Sequence, residues 1–189
     1  MQGNLILASQ SPRRRELMRL ISADFIVRPS DFDESAVVES DPVTLVRRLA
    51  CGKAAAVEHT PEDIVIGCDT VVTLDGEIFG KPHSREDARR MMETLSGRTH
   101  SVITGVCVLM GDCARQFECE TKVAFYPLTA EEIEAYIASD EPYDKAGGYG
   151  IQERGGLFVE HIEGDYSNVV GLPVAGLYRL LRSIGVTVL

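Results

Sequence analysis

The first candidates for chemistry are three consecutive arginines, Arg13–Arg15. They follow Ser11 and Pro12, a pair that is typical of a helix start, so they occupy the first helical turn. Cations at that end cost about 0.3–1 kcal/mol each, because the unpaired N–H groups already carry partial positive charge. A docked polyanion would be attracted by both the arginines and the amides. The triplet therefore predicts an anion site; the alternative is that these arginines are solvated or pair with carboxylates of this acidic chain.

The second candidate is Asp69, which lies inside the apolar segment 64–74. This segment predicts a central strand, and Gly67 nearby permits close approach of other groups. A carboxylate there must be desolvated unless it faces a cavity, a metal or a cation. We therefore favour a catalytic carboxylate. The alternative is an aspartate that is hydrogen-bonded to backbone at the end of a strand.

An acidic stretch and two lysines complete the set. Asp31, Asp33 and Glu34 are suitable ligands for a hard ion such as Mg²⁺, although an acidic surface loop is the commoner reason for such a stretch. Only its combination with a buried carboxylate favours a metal site. Lys53 and Lys81 are candidates for phosphate binding, although most lysines are simply solvated. Lys81 stands in the turn Gly80-Lys81-Pro82, which suits a phosphate-binding ammonium.

The elements that must position these residues alternate between strand and helix patterns. The Asp75-Gly76 pair predicts a type I′ turn, and the Thr129-x-x-Glu132 spacing predicts a capping box. Glycines make the segment 145–152 a loop. Strands are predicted over 5–8, 64–74, 77–79, 102–109, 117–125 and 157–162, and helices over 12–21, 41–58, 84–95, 129–138 and 173–183. This order predicts a mixed α/β fold, and no linker or repeat divides residues 1–189, so we expect one domain that can form two lobes.

Composition limits the functions that are open to this chain. With 29 acidic and 19 basic residues the formal net charge is −10, which disfavours nonspecific binding to nucleic acid or anionic membranes. No apolar run approaches the ~18 residues of a membrane helix, and the first residues lack the basic region of a signal peptide, so we expect a cytoplasmic protein. The five cysteines show no C-x-x-C spacing and are expected to be reduced, and the four histidines are not paired as zinc ligands.

Six motifs in order along the chain carry a family resemblance. They are LASQSPRR at 7–14, GCDT at 67–70, GKP at 80–82, LSG at 95–97, DKAGGYGIQ at 144–152 and GLP at 171–173. With them the sequence resembles the Maf nucleotide pyrophosphatases, also discussed as septum-formation inhibitors. Cys68 and Gly148 stand where the family usually has Ala; both are small, so little change in chemistry is expected.

The resemblance implies a fold and a set of site residues. The fold would be a mixed, twisted sheet flanked by helices with a central cleft, similar to the inosine triphosphate pyrophosphatases, in a chain that forms homodimers. Asp69 would accept a proton, and Glu34 would be a catalytic or metal-linked carboxylate, so that Glu34 and Asp69 would hold a divalent cation, Mg²⁺ or alternatively Mn²⁺. The residues expected at the triphosphate are Ser9, Arg13, Arg14, Lys53 and Lys81, with the two lysines also counted as catalytic.

The expected reaction is hydrolysis of a nucleoside triphosphate to its monophosphate and pyrophosphate, by water that Asp69 activates. In the family, Arg13, Thr70 and Gln152 mark the branch that acts on dTTP and UTP, as opposed to CTP and 7-methyl-GTP. One alternative is the same chemistry on CTP, 7-methyl-GTP or modified nucleotides, and two others belong to different functional classes. A regulator of cell division could use the same arginine-rich pocket without turnover, although a pure binder would not need Asp69; nucleic-acid binding is opposed by the net charge and by the lack of aromatic residues among the arginines.

Overall fold

A computed structural model of the protein describes residues 3–188, which form a seven-stranded mixed sheet with helices. The strands are β1 (Leu5–Leu7), β2 (Ile26–Val27), β3 (Ile64–Leu74), β4 (Glu77–Phe79), β5 (Thr99–Met110), β6 (Cys113–Phe125) and β7 (Val159–Glu163). The helices are α1 (Pro12–Met18), α2 (Pro42–Ala55), α3 (Arg85–Leu95), α4 (Ala130–Ile137), α5 (Tyr166–Val170) and α6 (Val174–Ser183). The strand order is β2-β1-β3-β5-β6-β7, with β4 paired to β3.

The sheet combines both kinds of pairing, which confirms the mixed α/β prediction. β1 runs parallel to β2 and to β3, whereas β4 is antiparallel to β3 and β7 is antiparallel to β6. Asp75 and Gly76 join β3 to β4 with φ of 52° and 83°, the left-handed geometry that a type I′ turn requires. None of the helices within residues 3–188 is long and apolar enough to cross a membrane.

The predicted helix starts are confirmed, and four of the five have a local side-chain cap. The side chains of Ser11, Asp41, Ser84 and Thr129 each accept the hydrogen bond from the backbone N–H three residues on, and Thr129 forms a full capping box. The ends were predicted less well: α1 stops at Met18 and α2 at Ala55, three residues short of both predictions. β5 is buried on both faces from position 100 to 108.

The chain divides into two compact units, each built from separate segments. The first contains the described residues up to Asp69, Thr104–Cys119 and the described residues from Gly171 onward; the second contains Thr70–Ile103 and Glu120–Val170. β3, β5 and β6 each begin in one unit and end in the other.

In the first unit, α2 packs directly on the sheet because glycines face it. A Cβ added to Gly67 of β3 would lie 2.1 Å from the carbonyl oxygen of Ala50, and one added to Gly105 of β5 would lie 2.6 Å from that of Val46. Around this contact lies a core of small and branched residues, Ile6, Ala8, Ala50, Ala54, Val57, Val65 and Cys107. The two glycines therefore set the distance between α2 and the sheet.

The core of the second unit is aromatic. Phe125 meets Tyr149 edge to face at 4.7 Å between ring centroids, and the His100 ring lies 4.9 Å from Phe125. Nε2 of His100 is 2.8 Å from the Tyr149 hydroxyl. Burial lowers the pKa of His100 to about 4, so the ring is neutral near pH 7. Tyr149 belongs to the glycine-dense loop, so its packing on Phe125 and its contact with His100 anchor the loop to the core of this unit.

Candidate active site

Asp69 is a buried carboxylate in the middle of a strand. Its residue is 7% exposed, and β3 continues beyond it to Leu74. The alternative prediction, that this aspartate lies at the end of a strand, is therefore wrong. Because side chains alternate along a strand, Asp69 shares the face of Gly67, which is the face covered by α2.

The group that compensates this carboxylate is the ammonium of Lys53, in the last turn of α2. Lys53 Nζ lies 2.5 Å from Oδ1 of Asp69 and 3.1 Å from Oε1 of Glu34. The side chains of Lys53 and Asp69 are only 12% and 10% exposed, whereas that of Glu34 is 57% exposed. The structure thus brings together three of the predicted residues, with one cation between two carboxylates.

Glu34 reaches this ammonium because its loop is packed against α2. A Cβ added to Gly52 would lie 2.3 Å from the ring of Phe32, so the ring sits directly on the helix backbone. Glu34 begins a short 3₁₀ turn two residues later. Neither Phe32 nor Gly52 was identified from the sequence; an aromatic residue beside an acidic stretch, with a glycine inside a helix, is the signal that was available.

The other acids of the stretch have different surroundings. Asp33 caps the 3₁₀ turn, and the hydrogen bonds from the hydroxyl and amide of Ser35 hold its pKa below the ordinary value. Asp31 is exposed on the loop. Only Glu34 of this stretch is in contact with Lys53. Within the acidic stretch, Asp33 therefore has a structural role as a cap, and Glu34 belongs to the candidate site.

Arg14 connects α1 to the strand that carries Asp69. Its Nη1 donates to the carbonyl oxygen of Cys68 and its Nε to that of Gly171, both at 2.8 Å. Arg14 thus donates to backbone carbonyls, which neither sequence interpretation anticipated. Arg13 beside it is half-buried.

Ser9 lies at the end of β1, where the chain turns into α1. It is 7% exposed, and its Oγ accepts a hydrogen bond from the amide of Ser11 at 3.2 Å. Ser11 in turn caps α1. This pair of serines fixes the turn that presents the arginines.

Lys81 and the glycine-dense loop belong to the second unit. The carbonyl oxygen of Gly80 accepts a hydrogen bond from the amide of Gly147 at 2.9 Å, so the turn with Lys81 is tied to the loop. Gly147 has φ of 70°, and a Cβ there would lie 2.7 Å from a methyl group of Val72. Lys81 itself is exposed.

Lys145 is the residue of this loop that sequence reasoning missed. It is only 6% exposed, and its Nζ donates to the Glu141 carbonyl oxygen and to Asp144 Oδ1, both at 2.7 Å, and lies 3.4 Å from Glu153 Oε2. A buried lysine with three oxygen partners holds both ends of the loop. Gln152, next to Glu153, is exposed.

Thr70 follows Asp69 directly on β3 and belongs to the second unit. Strand alternation places its side chain on the face opposite to Asp69. Its predicted role at the nucleotide base stays a prediction, as do those of Arg13 and Gln152.

The donor set suits a divalent cation that is bound together with substrate. Among residues 3–188 no group of three or more His, Cys, Asp or Glu side chains is placed to hold a metal ion. Mg²⁺ at nucleotide sites is usually held by one or two carboxylates, with phosphate and water oxygens as the other ligands. Glu34 and Asp69, both within 3.1 Å of one ammonium, supply that number of carboxylates.

Comparison with known proteins agrees with the order of the motifs. A family model described as Maf-like protein matches residues 4–184. The chain belongs to the Maf-like protein family. The predicted resemblance is thereby confirmed over nearly the whole length.

Relatives in this family carry a specific activity name. A protein of Bacillus cereus (strain AH187) named dTTP/UTP pyrophosphatase is 48% identical over 185 residues, which cover 97% of each chain. One of the same name from Bacillus anthracis (strain CDC 684 / NRRL 3495) is 47% identical with the same coverage. Among solved structures, the Ham1 protein of Staphylococcus aureus matches with a TM-score of 0.55 at 16% identity, covering 96% of this chain and 99% of that one. This last likeness supports the fold alone.

Proposed function

We propose that the protein is a nucleoside triphosphate pyrophosphatase that hydrolyses dTTP and UTP to the monophosphate and pyrophosphate. The activity name of relatives at 47–48% identity supports the substrate class. The observation that carries the chemistry is the buried Asp69 carboxylate, held 2.5 Å from the Lys53 ammonium. A chain that only bound a polyanion would bind it more tightly without this negative charge.

Asp69 acts as the proton acceptor for the attacking water. The Lys53 ammonium donates a hydrogen bond to Oδ1 of Asp69 and so occupies one of the two carboxylate oxygens. When a triphosphate binds, Lys53 moves its hydrogen bond to a phosphate oxygen and leaves Asp69 to take the proton. A positioned general base of this kind contributes about 10²–10⁴-fold to the rate.

The cations neutralise the charge that builds up on the phosphates. Arg13, Arg14 and Lys53 of the first unit serve this purpose, and the family resemblance assigns the same role to Lys81; such electrostatic stabilisation is commonly the largest part of phosphoryl-transfer catalysis. Glu34 and Asp69 would hold Mg²⁺ or Mn²⁺, which when bound supplies further positive charge to the phosphate oxygens. No covalent intermediate is required.

Recognition of the base is assigned to Gln152. Uracil and thymine present acceptor, donor and acceptor along their pairing edge, and a Gln amide can accept from N3–H while it donates to a neighbouring carbonyl oxygen. Cytosine reverses two of these groups. The 5-methyl group is worth only ~1 kcal/mol, so dTTP and UTP are used together. A homodimer in the cytoplasm stays a prediction.

The decisive experiment measures both phosphate products. The purified protein with Mg²⁺ is incubated with each of dTTP, UTP, CTP, ATP and GTP, and pyrophosphate and orthophosphate are assayed separately. We expect pyrophosphate as the first product, with dTTP and UTP as the best substrates. Orthophosphate as the first product would contradict cleavage between the α and β phosphates, and no turnover on any nucleotide would favour the non-enzymatic regulator.

A further inference from the structure

Two cysteines of the first unit lie in direct contact although they are 56 positions apart in sequence. The Sγ atoms of Cys51 on α2 and Cys107 on β5 are separated by 2.6 Å. An S–S bond measures about 2.05 Å, so the two sulfurs are within about half an ångström of bonding distance. The arrangement was not foreseen from the sequence, which lacks paired cysteine spacing.

The fold imposes this contact through its glycines. Gly105 and Cys107 are two positions apart on β5 and so share the face that α2 covers. Because Gly105 has no side chain, the backbone of α2 at Val46 approaches the strand closely, and one helical turn further along Cys51 reaches Cys107. Cys107 belongs to the core cluster of this unit, and Cys51 packs against it. The pair is thus fixed by rigid elements on both sides.

The two thiols differ in exposure and in pKa, as disulfide formation through a sulfenic acid requires. Cys51 is partly exposed, and its contact with the Cys107 thiol lowers its pKa. Cys107 is 1% exposed, and the same contact together with burial raises its pKa. A partly exposed thiolate reacts with oxidants, and a neighbouring thiol resolves the product.

We propose that Cys51 and Cys107 form a reversible disulfide that tethers α2 to β5 when the protein meets a peroxide. The Cys51 thiolate attacks hydrogen peroxide, the O–O bond breaks, and Cys51 becomes a sulfenic acid; the hydroxide that leaves takes up the proton that the Cys51 thiol had released and becomes water. Cys107 then attacks this sulfur, loses its proton, and displaces hydroxide, which leaves as a second water. Two thiols and one peroxide thus give one disulfide and two waters, and an external dithiol reverses the change by exchange.

The first expected effect of the disulfide is a more stable folded state. The disulfide closes a long loop, which typically raises the free energy of unfolding, and for a chain of this length the expected rise in Tm is about 5–15 °C. Lys53 lies two residues beyond Cys51 on the same helix, so the disulfide also secures the element that positions this lysine. The proposal does not depend on the nucleotide activity.

The test uses the full chain, reduced with dithiothreitol and then treated with hydrogen peroxide at a few equivalents. Intact mass, peptide mapping without reduction, and Tm are measured before and after, and again after renewed reduction. The variants are Cys51→Ser and Cys107→Ala, with Cys113→Ser as the matched control, since Cys113 is exposed on β6.

In the parent chain and the Cys113→Ser control, we expect a loss of about 2 Da, one cross-linked peptide that joins positions 51 and 107, and the rise in Tm, all reversed by dithiothreitol. Cys51→Ser and Cys107→Ala should lack the cross-link and the rise. A cross-link between other cysteines, oxidation to sulfinic acid without a cross-link, or a cross-link with no rise in Tm would each overturn the proposal. Because peptide mapping is done on the parent chain, the result stands even where a variant folds poorly.

Discussion

The two units present their predicted site residues in different ways. In the first unit the side chains hold one another: Lys53 lies between Asp69 and Glu34, and Arg14 donates to two carbonyl oxygens. In the second unit the backbone is held, by Lys145 and by glycines, while Lys81 and Gln152 are exposed. The charged groups of the first unit are therefore organised in advance, whereas Lys81 and Gln152 depend on the turn and the loop that carry them.

The largest effect is expected from Asp69→Asn, which keeps the side-chain size and removes its basicity. Turnover on UTP should fall by about 10²–10⁴-fold, while nucleotide affinity stays the same or increases. Steady-state kinetics and nucleotide titration measure the two quantities. Asp63→Asn is the control, since Asp63 is also buried and its hydrogen bonds from Thr60 and Asn4 hold its pKa at about 2. That control should lower Tm and leave turnover; retained activity in Asp69→Asn would make Asp69 structural.

Lys53→Met tests whether the first unit is organised by charge. Breaking a largely buried ion pair costs about 3–5 kcal/mol, which in a chain of this length corresponds to a fall in Tm of roughly 5–15 °C. Turnover should fall about 10–100-fold from the lost phosphate contact. Lys122→Met, which removes a half-exposed partner of Glu120, should change Tm by no more than about 1–3 °C.

The double variant with Asp69→Asn sharpens this test. It should unfold at a higher temperature than the sum of the single changes predicts, because it leaves no buried charge without a partner; Glu34, which also loses Lys53, is 57% exposed. Simple additivity would show that the two side chains do not stabilise each other.

Gln152→Glu tests the second unit, where the side chain is exposed and Tm should not change. Loss of the amide donor should lower kcat/KM for UTP relative to CTP by roughly 10-fold or more, since an unpaired polar group costs about 1–3 kcal/mol. Gln116→Glu on β6 makes the same change in charge at another exposed glutamine. Equal losses on both nucleotides would remove Gln152 from base recognition.

The smallest effect is expected for His100, which contacts Tyr149 of the glycine-dense loop, and it concerns the pH dependence of stability. Because His100 has a pKa of about 4 when folded and about 6.5 when unfolded, the unfolded chain binds more protons as pH falls below 6.5. This group therefore lowers the free energy of unfolding progressively between pH 6.5 and pH 4. Denaturant titrations at pH 7 and pH 5 should show on the order of 1–2 kcal/mol less loss in His100→Gln than in the parent chain.

His161→Gln removes an exposed histidine on β7 and is the matched control for that titration. It should lose as much stability on acidification as the parent chain. The same pH dependence in all three proteins would show that His100 does not carry it.

The sequence predicted those features of the structure that depend on neighbouring residues better than those that depend on distant ones. Ser11 and Thr129 were recognised as helix starts because a cap needs only the next three residues. Asp69 was identified because burying a carboxylate is unfavourable whatever surrounds it. Its partner in space could not be derived in this way, since Lys53 lies on another element and its role was given only by the family resemblance.

The features that sequence reasoning missed depend on packing between distant positions. β2 has two residues and α5 has five, too few to show a period. Lys145 resembles any surface lysine until the oxygens around it are known, and the contact of Phe32 with Gly52 is invisible without the helix. These are also the contacts that deliver Glu34 and shape the loop with Gln152.

The passage of β3, β5 and β6 through both units has a consequence for anyone who wishes to express half of this protein. The first unit is assembled from three stretches of the gene and the second from two, so neither corresponds to a single open reading frame. Separating the units would cut β3, β5 and β6, which both units share. Recombination between family members should therefore succeed by exchanging loops, such as the Asp75-Gly76 turn, and fail when it exchanges a unit.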